Sequence, residues 1–135
     1  MALQYSTAVR NAQLDSIETT CGASAIMRIR TGTVPANAGT ADSGSVLATL
    51  NLPSNWMNDA ASGIKTIAGT WQDAAADAAG VAGHFRVYDS TGTTCHIQGT
   101  VSITGGGGDL VLDNTNIAVG QIITVVSFTI TAGNA

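Results

Sequence analysis

From residue 25 onward the apolar residues recur at every second position in short runs, and that period leaves a chain few choices. Ala25, Met27 and Ile29 alternate with Ile26, Arg28 and Arg30, and Val46, Ala48, Leu50 and Leu52 share one parity. Phe85 and Val87 alternate with His84, Arg86 and Tyr88; Ile97, Val101 and Ile103 alternate with His96, Gln98, Thr100 and Ser102. In the last run Val126, Phe128 and Ile130 alternate with Ser127, Thr129 and Thr131. A period of two puts successive side chains on opposite faces of a strand. Turn chemistry separates the runs: Pro35 and glycines within 31–44, Pro53, Ser90-Thr91-Gly92-Thr93, Gly105 to Gly108, and Asn114-Thr115-Asn116. About eight short strands so spaced imply an all-β fold, a two-sheet sandwich or jelly roll. The alanine-rich stretch 72–83 ends in Gly80 and Gly83 and reads as an extended or looped crossing between sheets, a short helical turn being the alternative.

Only the N-terminal segment carries a helical period. Leu14, Ile17 and Cys21 fall on one stripe, Ser6 or Thr7 can cap the first turn, and Gly22 stands where helices commonly end. The expected organisation is an arm and helix over 1–23 and a β-sandwich over 24–135, forming one domain.

Charged residues make up only 10% of the 135, against about 25% in typical domains. Solubility then rests on Thr, Ser, Asn, Asp and Gly, and such a surface suits either a protein largely covered by partners or a sandwich that is merely poor in charge. The five basic residues, Arg10, Arg28, Arg30, Lys65 and Arg86, form no run, so no nucleic-acid footprint is expected. No apolar stretch approaches the roughly 20 residues of a membrane span. The N-terminus lacks the charged and apolar regions of a signal peptide, which points to a reducing compartment and to free thiols at Cys21 and Cys95.

Residues that could carry chemistry do not assemble into a motif. His84 and His96 share a polar face without the further ligands zinc needs. No serine sits in G-x-S-x-G. Asp109 and Asp113 bracket a strand at a spacing of roughly 13 Å, too far for a carboxylate pair. Asp73 and Asp77 offer too few oxygens for calcium. Gly105 to Gly108 lacks the Lys-Ser/Thr of a phosphate loop. No catalytic residue, cofactor or metal is expected.

Candidate surfaces for protein contacts are three. The N-terminal arm Met1 to Tyr5 carries Leu3 and Tyr5 ahead of the helix. Arg28 and Arg30, with Arg86, present planar guanidinium groups suited to a partner's carboxylates. Ile123 and Val125 have parity opposite to Val126, Phe128 and Ile130, so a regular strand points them outward, unless Gly120 introduces a bulge that re-aims them.

The stretch Ala82 to Thr93, then Gln98-Gly99-Thr100-Val101, Gly108-Asp109-Leu110, Asp113 to Gln121 and Val126 to Thr131, together with the opening Met1 to Thr7 and the Arg10-Asn11 pair, resembles small virion proteins of tailed bacteriophages. These are head decoration, or cement, proteins of jelly-roll type. The resemblance implies a non-enzymatic protein on the outer surface of a phage head, made in the host cytoplasm. Its partners would be the major capsid protein and further copies of itself, as a homodimer or homotrimer. Alternatives are another virion station, such as a head-fibre base or a tail or tail-fibre module, and a carbohydrate-binding sandwich using Trp56, Trp71 and Tyr88 as stacking platforms.

Overall fold

The computed structural model describes residues 3–133. It is mainly β, with 39% strand and 11% helix. Helix α1 spans Thr7–Cys21. The Ser6 side chain accepts from the Val9 amide, and Gly22, at φ 87°, returns its N–H to the Glu18 carbonyl. Capping at both ends matches the sequence expectation. The strands are β1 Ile26–Thr31, β2 Val46–Asn51, β3 Ile64–Thr66, β4 Gln72–Asp73, β5 Gly80–Tyr88, β6 Cys95–Ser102, β7 Leu110–Leu112, β8 Asn116–Ile117 and β9 Ile123–Thr131. The stretch between β4 and β5 is a crossing of bends, without a helix.

The strands follow one path, β2-β1-β5-β6-β7-β9-β3, with β4 pairing β9 and β8 pairing β5. The sheet curls into a half-barrel, so the two layers of a sandwich are the two ends of one sheet. All pairings are antiparallel except β6 with β7. Inside lie Met27, Ile29, Leu47, Leu50, Phe85, Val87, Leu110 and Leu112. An aromatic chain crosses the core: Trp56 to Trp71 at 5.8 Å between centroids, Trp71 to Phe128 at 5.7 Å, and Phe128 to Phe85 at 5.4 Å, edge-on. Each such pair adds about 0.5–1.5 kcal/mol beyond its buried area. Both indoles are hydrogen-bonded, Trp56 Nε1 to the Gly22 carbonyl and Trp71 Nε1 to that of Trp56.

The last strand departs from regular alternation. Leu110 pairs Phe128 and Val111 pairs Ser127, but Leu112 pairs Val125, so β9 carries one extra residue against β7. At this bulge two consecutive residues, Val126 and Ser127, both face solvent. Ile123 and Val125 are therefore core residues, at 0% and 5% exposure, and Val126, at 53%, is the outward valine. This corrects the expectation from parity: the bulge lies at Val126, beyond Gly120, and inverts the faces of everything before it.

The bulge fixes opposite fates for neighbouring valines. Val125→Asp buries an unpaired carboxylate and lowers stability by about 3 kcal/mol or more, whereas Val126→Asp stays within about 0.5 kcal/mol. Urea unfolding of the two variants measures this; the reverse order would restore a regular strand.

Candidate functional site

Strand β5 is buried on both faces over residues 84–88, although it carries His84 and Arg86. Its inner face meets the core. Its outer face is covered by the loop 32–44, which straps across β1, β5 and β6. Arg86 Nη1 donates to the Thr40 carbonyl at 2.9 Å and to Asp42 Oδ1 at 2.8 Å, and Nη2 donates to the Ala38 carbonyl at 2.7 Å. Arg30 Nη2 reaches Asp42 Oδ2 at 2.8 Å, and the Tyr88 hydroxyl donates to Asp42 Oδ1 at 2.6 Å. Gln98 Nε2 donates to the Pro35 carbonyl, and His84 Nδ1 lies 3.0 Å from that of Gly32. At Gly83 a Cβ would collide with the Gly32 backbone, so glycine lets the strap lie directly on the strand.

One carboxylate thus bridges two guanidinium groups. Partial burial pushes the Asp42 carboxyl upward, but the Tyr88 hydroxyl and the charges of Arg30, Arg86 and Arg28 outweigh this and hold it below its ordinary value. Burial, and then the bond to Asp42, push the Tyr88 phenol up. Arg28 stacks over the Tyr88 ring, 4.7 Å from its centroid, and donates to the Gly92 carbonyl. A surface depression of about 340 Å³ lies beside the strap, lined by Thr40, Asp42, Arg86, Tyr88 and Cys95. Its charged groups are committed to one another.

A second buried charge pins the helix. Lys65, 1% exposed, donates to Asp15 Oδ1 at 2.7 Å and to the Asn58 carbonyl at 2.9 Å, with Glu18 Oε2 at 3.3 Å. Asp15 also accepts from the Ala60 amide, Glu18 from that of Met57, and Asn11 from that of Gly63. The Lys65 hydrogen bond, then the Ala60 amide, hold the Asp15 carboxyl below its ordinary value.

The remaining feature is a seam in the sheet. Strand β7 separates β6 from β9 for only three residues, Leu110–Leu112. Beyond its end, toward Cys95 and Thr131, β6 and β9 face each other across a groove of about 440 Å³. Phe85, Ile97, Phe128 and Ile130 line it with polar side chains that include His96, Gln98 and Asp109, and Ile17 of α1 contributes to the wall.

Of the residues expected at an interface, Leu3 and Tyr5 are exposed, at 70% and 43%; Met1 and Ala2 of the arm lie outside the described residues. Arg28 is half-buried and Arg30 is paired within the chain, so the carboxylate expected from a partner is the chain's own Asp42. Ile123 and Val125 belong to the core. His84 is fully buried, which corrects the expectation that it shares an outer polar face with His96; His96 instead lies in a small hollow with Ile17, Thr20 and Cys21. Trp56, Trp71 and Tyr88 are buried and are no platforms for a sugar. Both cysteines are free thiols. Burial, with smaller contributions from Cys95 and Asp89, pushes the Cys21 thiol up to about 11. Among the described residues no three or more His, Cys, Asp or Glu side chains are grouped to hold a metal ion. Sequence reasoning missed the strap and the seam. Their only written signals are Asp42, an acidic residue isolated in an uncharged loop, and the shortness of Leu110–Leu112 between much longer strands.

Comparison with family models, with curated proteins and with solved structures finds no match to this chain.

Removing Asp42 strands two buried arginines. The usual cost of breaking a buried pair is about 3–5 kcal/mol; Asp42 is partly open to water, so Asp42→Ala costs about 2–3 kcal/mol. Because the folded carboxyl titrates below its unfolded value, its contribution is complete above about pH 4 and disappears as pH falls through the folded value. Stability of the unmodified protein therefore drops below about pH 4, and Asp42→Ala flattens that slope; an identical slope in the variant would remove Asp42 from the account.

Proposed function

We propose that the chain is a non-enzymatic structural protein of a phage particle, a decoration protein that binds the outside of the head by bridging major capsid subunits and by associating with copies of itself. The observation that carries the reading furthest is where the charge goes. Lys65, Arg30 and Arg86 are buried and neutralised inside a chain that is already only 10% charged. What is left outside is a surface of Thr, Ser, Gly and scattered apolar side chains, with a thin scatter of charge that is mostly aspartate, Asp59, Asp77, Asp109 and Asp113 among them. Depletion of charge is the compositional mark of the centre of a protein–protein interface.

The exposed apolar residues support the same reading by their placement. Leu3, Tyr5 and Val9 lie at the start of the chain, and Arg10 ties that end of α1 to Ser62 and Ala132, beside exposed Ile64. Val126 is outward on β9, while Val81, Val119 and Ile122 surround the β5–β8 pairing and the turn before β9. A protein with apolar groups at more than one place on its surface can touch several neighbours, and several weak contacts hold better than one. The resemblance of residues 82–131 and of the N-terminus to virion proteins supplies the kind of partner. With Trp56, Trp71 and Tyr88 buried, the sugar-stacking reading built on them finds no support.

Purified protein added to undecorated phage heads is expected to bind at fixed stoichiometry and to raise the temperature at which the shell opens. Val126→Asp or removal of residues 1–5 is expected to lower occupancy with the fold intact. Undetectable binding of the unmodified protein to heads would overturn the proposal.

A further inference from the structure

The strap 32–44 is fastened by polar contacts and adds little to the apolar core. Pro35 is the one buried residue within it; Val34 and Ala38 are half-buried and the rest are exposed. Its ends meet at a stem, where the Thr31 amide donates to the Ser45 carbonyl at 3.1 Å and the Ser45 amide to Thr31 Oγ1 at 2.9 Å. Within it, the Thr40 amide donates to the Asn37 carbonyl and Ser43 Oγ to that of Thr33. A surface loop with adjoining ends and bonds of its own has the form of an Ω-loop. Gly32 and Gly44, both at positive φ, stand at its two ends, where a change of backbone angle meets least resistance.

Closure leaves polar atoms unpaired. Three side-chain atoms among the described residues are sealed from solvent without a hydrogen-bond partner: Arg30 Nε, His84 Nε2 and Gln98 Oε1. All three belong to side chains that the strap holds by another atom. Arg30 Nη2 bonds to Asp42, His84 Nδ1 faces the Gly32 carbonyl, and Gln98 Nε2 bonds to that of Pro35. Unpaired buried groups oppose the closed position, because opening returns them to water. What holds the strap down is chiefly Asp42, which accepts from Arg30, Arg86 and Tyr88 at 2.8, 2.8 and 2.6 Å. The sheet underneath has its own support: β1, β5 and β6 are joined by their ladders, and Met27, Ile29, Phe85 and Val87 pack in the core on the opposite face.

We infer that the strap is a lid, latched by Asp42, that opens as a unit while the sheet beneath it stays folded. Local opening at a cost below that of global unfolding belongs to segments with few buried apolar contacts and an exposed backbone, and the strap is such a segment. Opening uncovers one sheet face on which Arg30 stands opposite His84 and Arg86 opposite Gln98, with Arg28 beside them. In the closed state His84 is fully buried and Arg86 is 1% exposed. Asp42 is thus an internal substitute for an outside carboxylate, and Arg30 and Arg86 are available to other molecules only when the lid is open. The inference is independent of the proposed function.

The buried His84 ring reports the opening directly. Diethyl pyrocarbonate modifies accessible imidazoles, and the half-buried His96 is a reference on the same chain. His84 is expected to react more slowly than His96, yet at a rate that stays flat across urea concentrations below the unfolding transition, since a local opening exposes little surface. The opening it reports is expected to be more frequent than the one reported by amide hydrogen exchange at Ile29 and Val87. In Asp42→Asn the His84 rate is expected to rise roughly tenfold or more while the His96 rate is unchanged. Tyr88→Phe removes one bond to Asp42 and keeps the carboxylate; it is expected to raise the His84 rate less, and it carries the test if Asp42→Asn does not fold. An unreactive His84, a His84 rate that climbs with urea in step with global unfolding, or equal rates in the unmodified protein and the latch variants would each overturn the inference.

Discussion

A strand buried on both faces must find partners inside the protein for each polar side chain it carries. Strand β5 meets this constraint at its hardest, because Arg86 and His84 lie on its outer face with no access to water. The remedy is the strap 32–44, which brings the Ala38 and Thr40 carbonyls and the Asp42 carboxylate onto Arg86 and the Gly32 carbonyl onto His84. Much of the surrounding structure follows from this. Arg30 shares Asp42 from the next strand, Tyr88 donates to it, and Gln98 holds the beginning of the strap through Pro35. The charges that would make this face soluble serve to close it.

The other end of the half-barrel solves a similar problem differently. Helix α1 has a thin apolar stripe, with Leu14 and Cys21 buried and Ile17 half-buried, and such a stripe holds a helix weakly. Polar side chains complete the attachment. Asp15, Glu18 and Asn11 accept backbone amides of the segment 57–63, and Lys65 lies buried between the two carboxylates. Buried ion pairs contribute little net stability but heavily penalise any arrangement that separates them. Here two such clusters, at Asp42 and at Lys65, set the positions of a loop and a helix that apolar packing alone would leave free.

Function, on this reading, is what remains once charge and edges have been dealt with internally. The outer surface carries few charges, most of them aspartates, and beside the short β7 strands β6 and β9 still face each other across a groove.

The sequence by itself determined the elements. The helix ends at Cys21 because Ser6 and Gly22 are local signals, and the strand pattern with its turns follows from a two-residue period and from Gly, Pro and Asn chemistry, all short-range causes. Parity also placed Met27, Ile29, Phe85 and Val87 correctly in the core. Tertiary structure alone decided what parity cannot express. The bulge at Val126 arises from pairing β9 with β7, and one added residue is enough to bring Ile123 and Val125 inside. Polar side chains on a strand indicate solvent only if nothing covers them, and the strap that buries Arg30, His84 and Arg86 comes from a loop whose own composition says nothing about where it lies. Register and coverage are relations between distant segments, so they exist only once the chain has closed on itself.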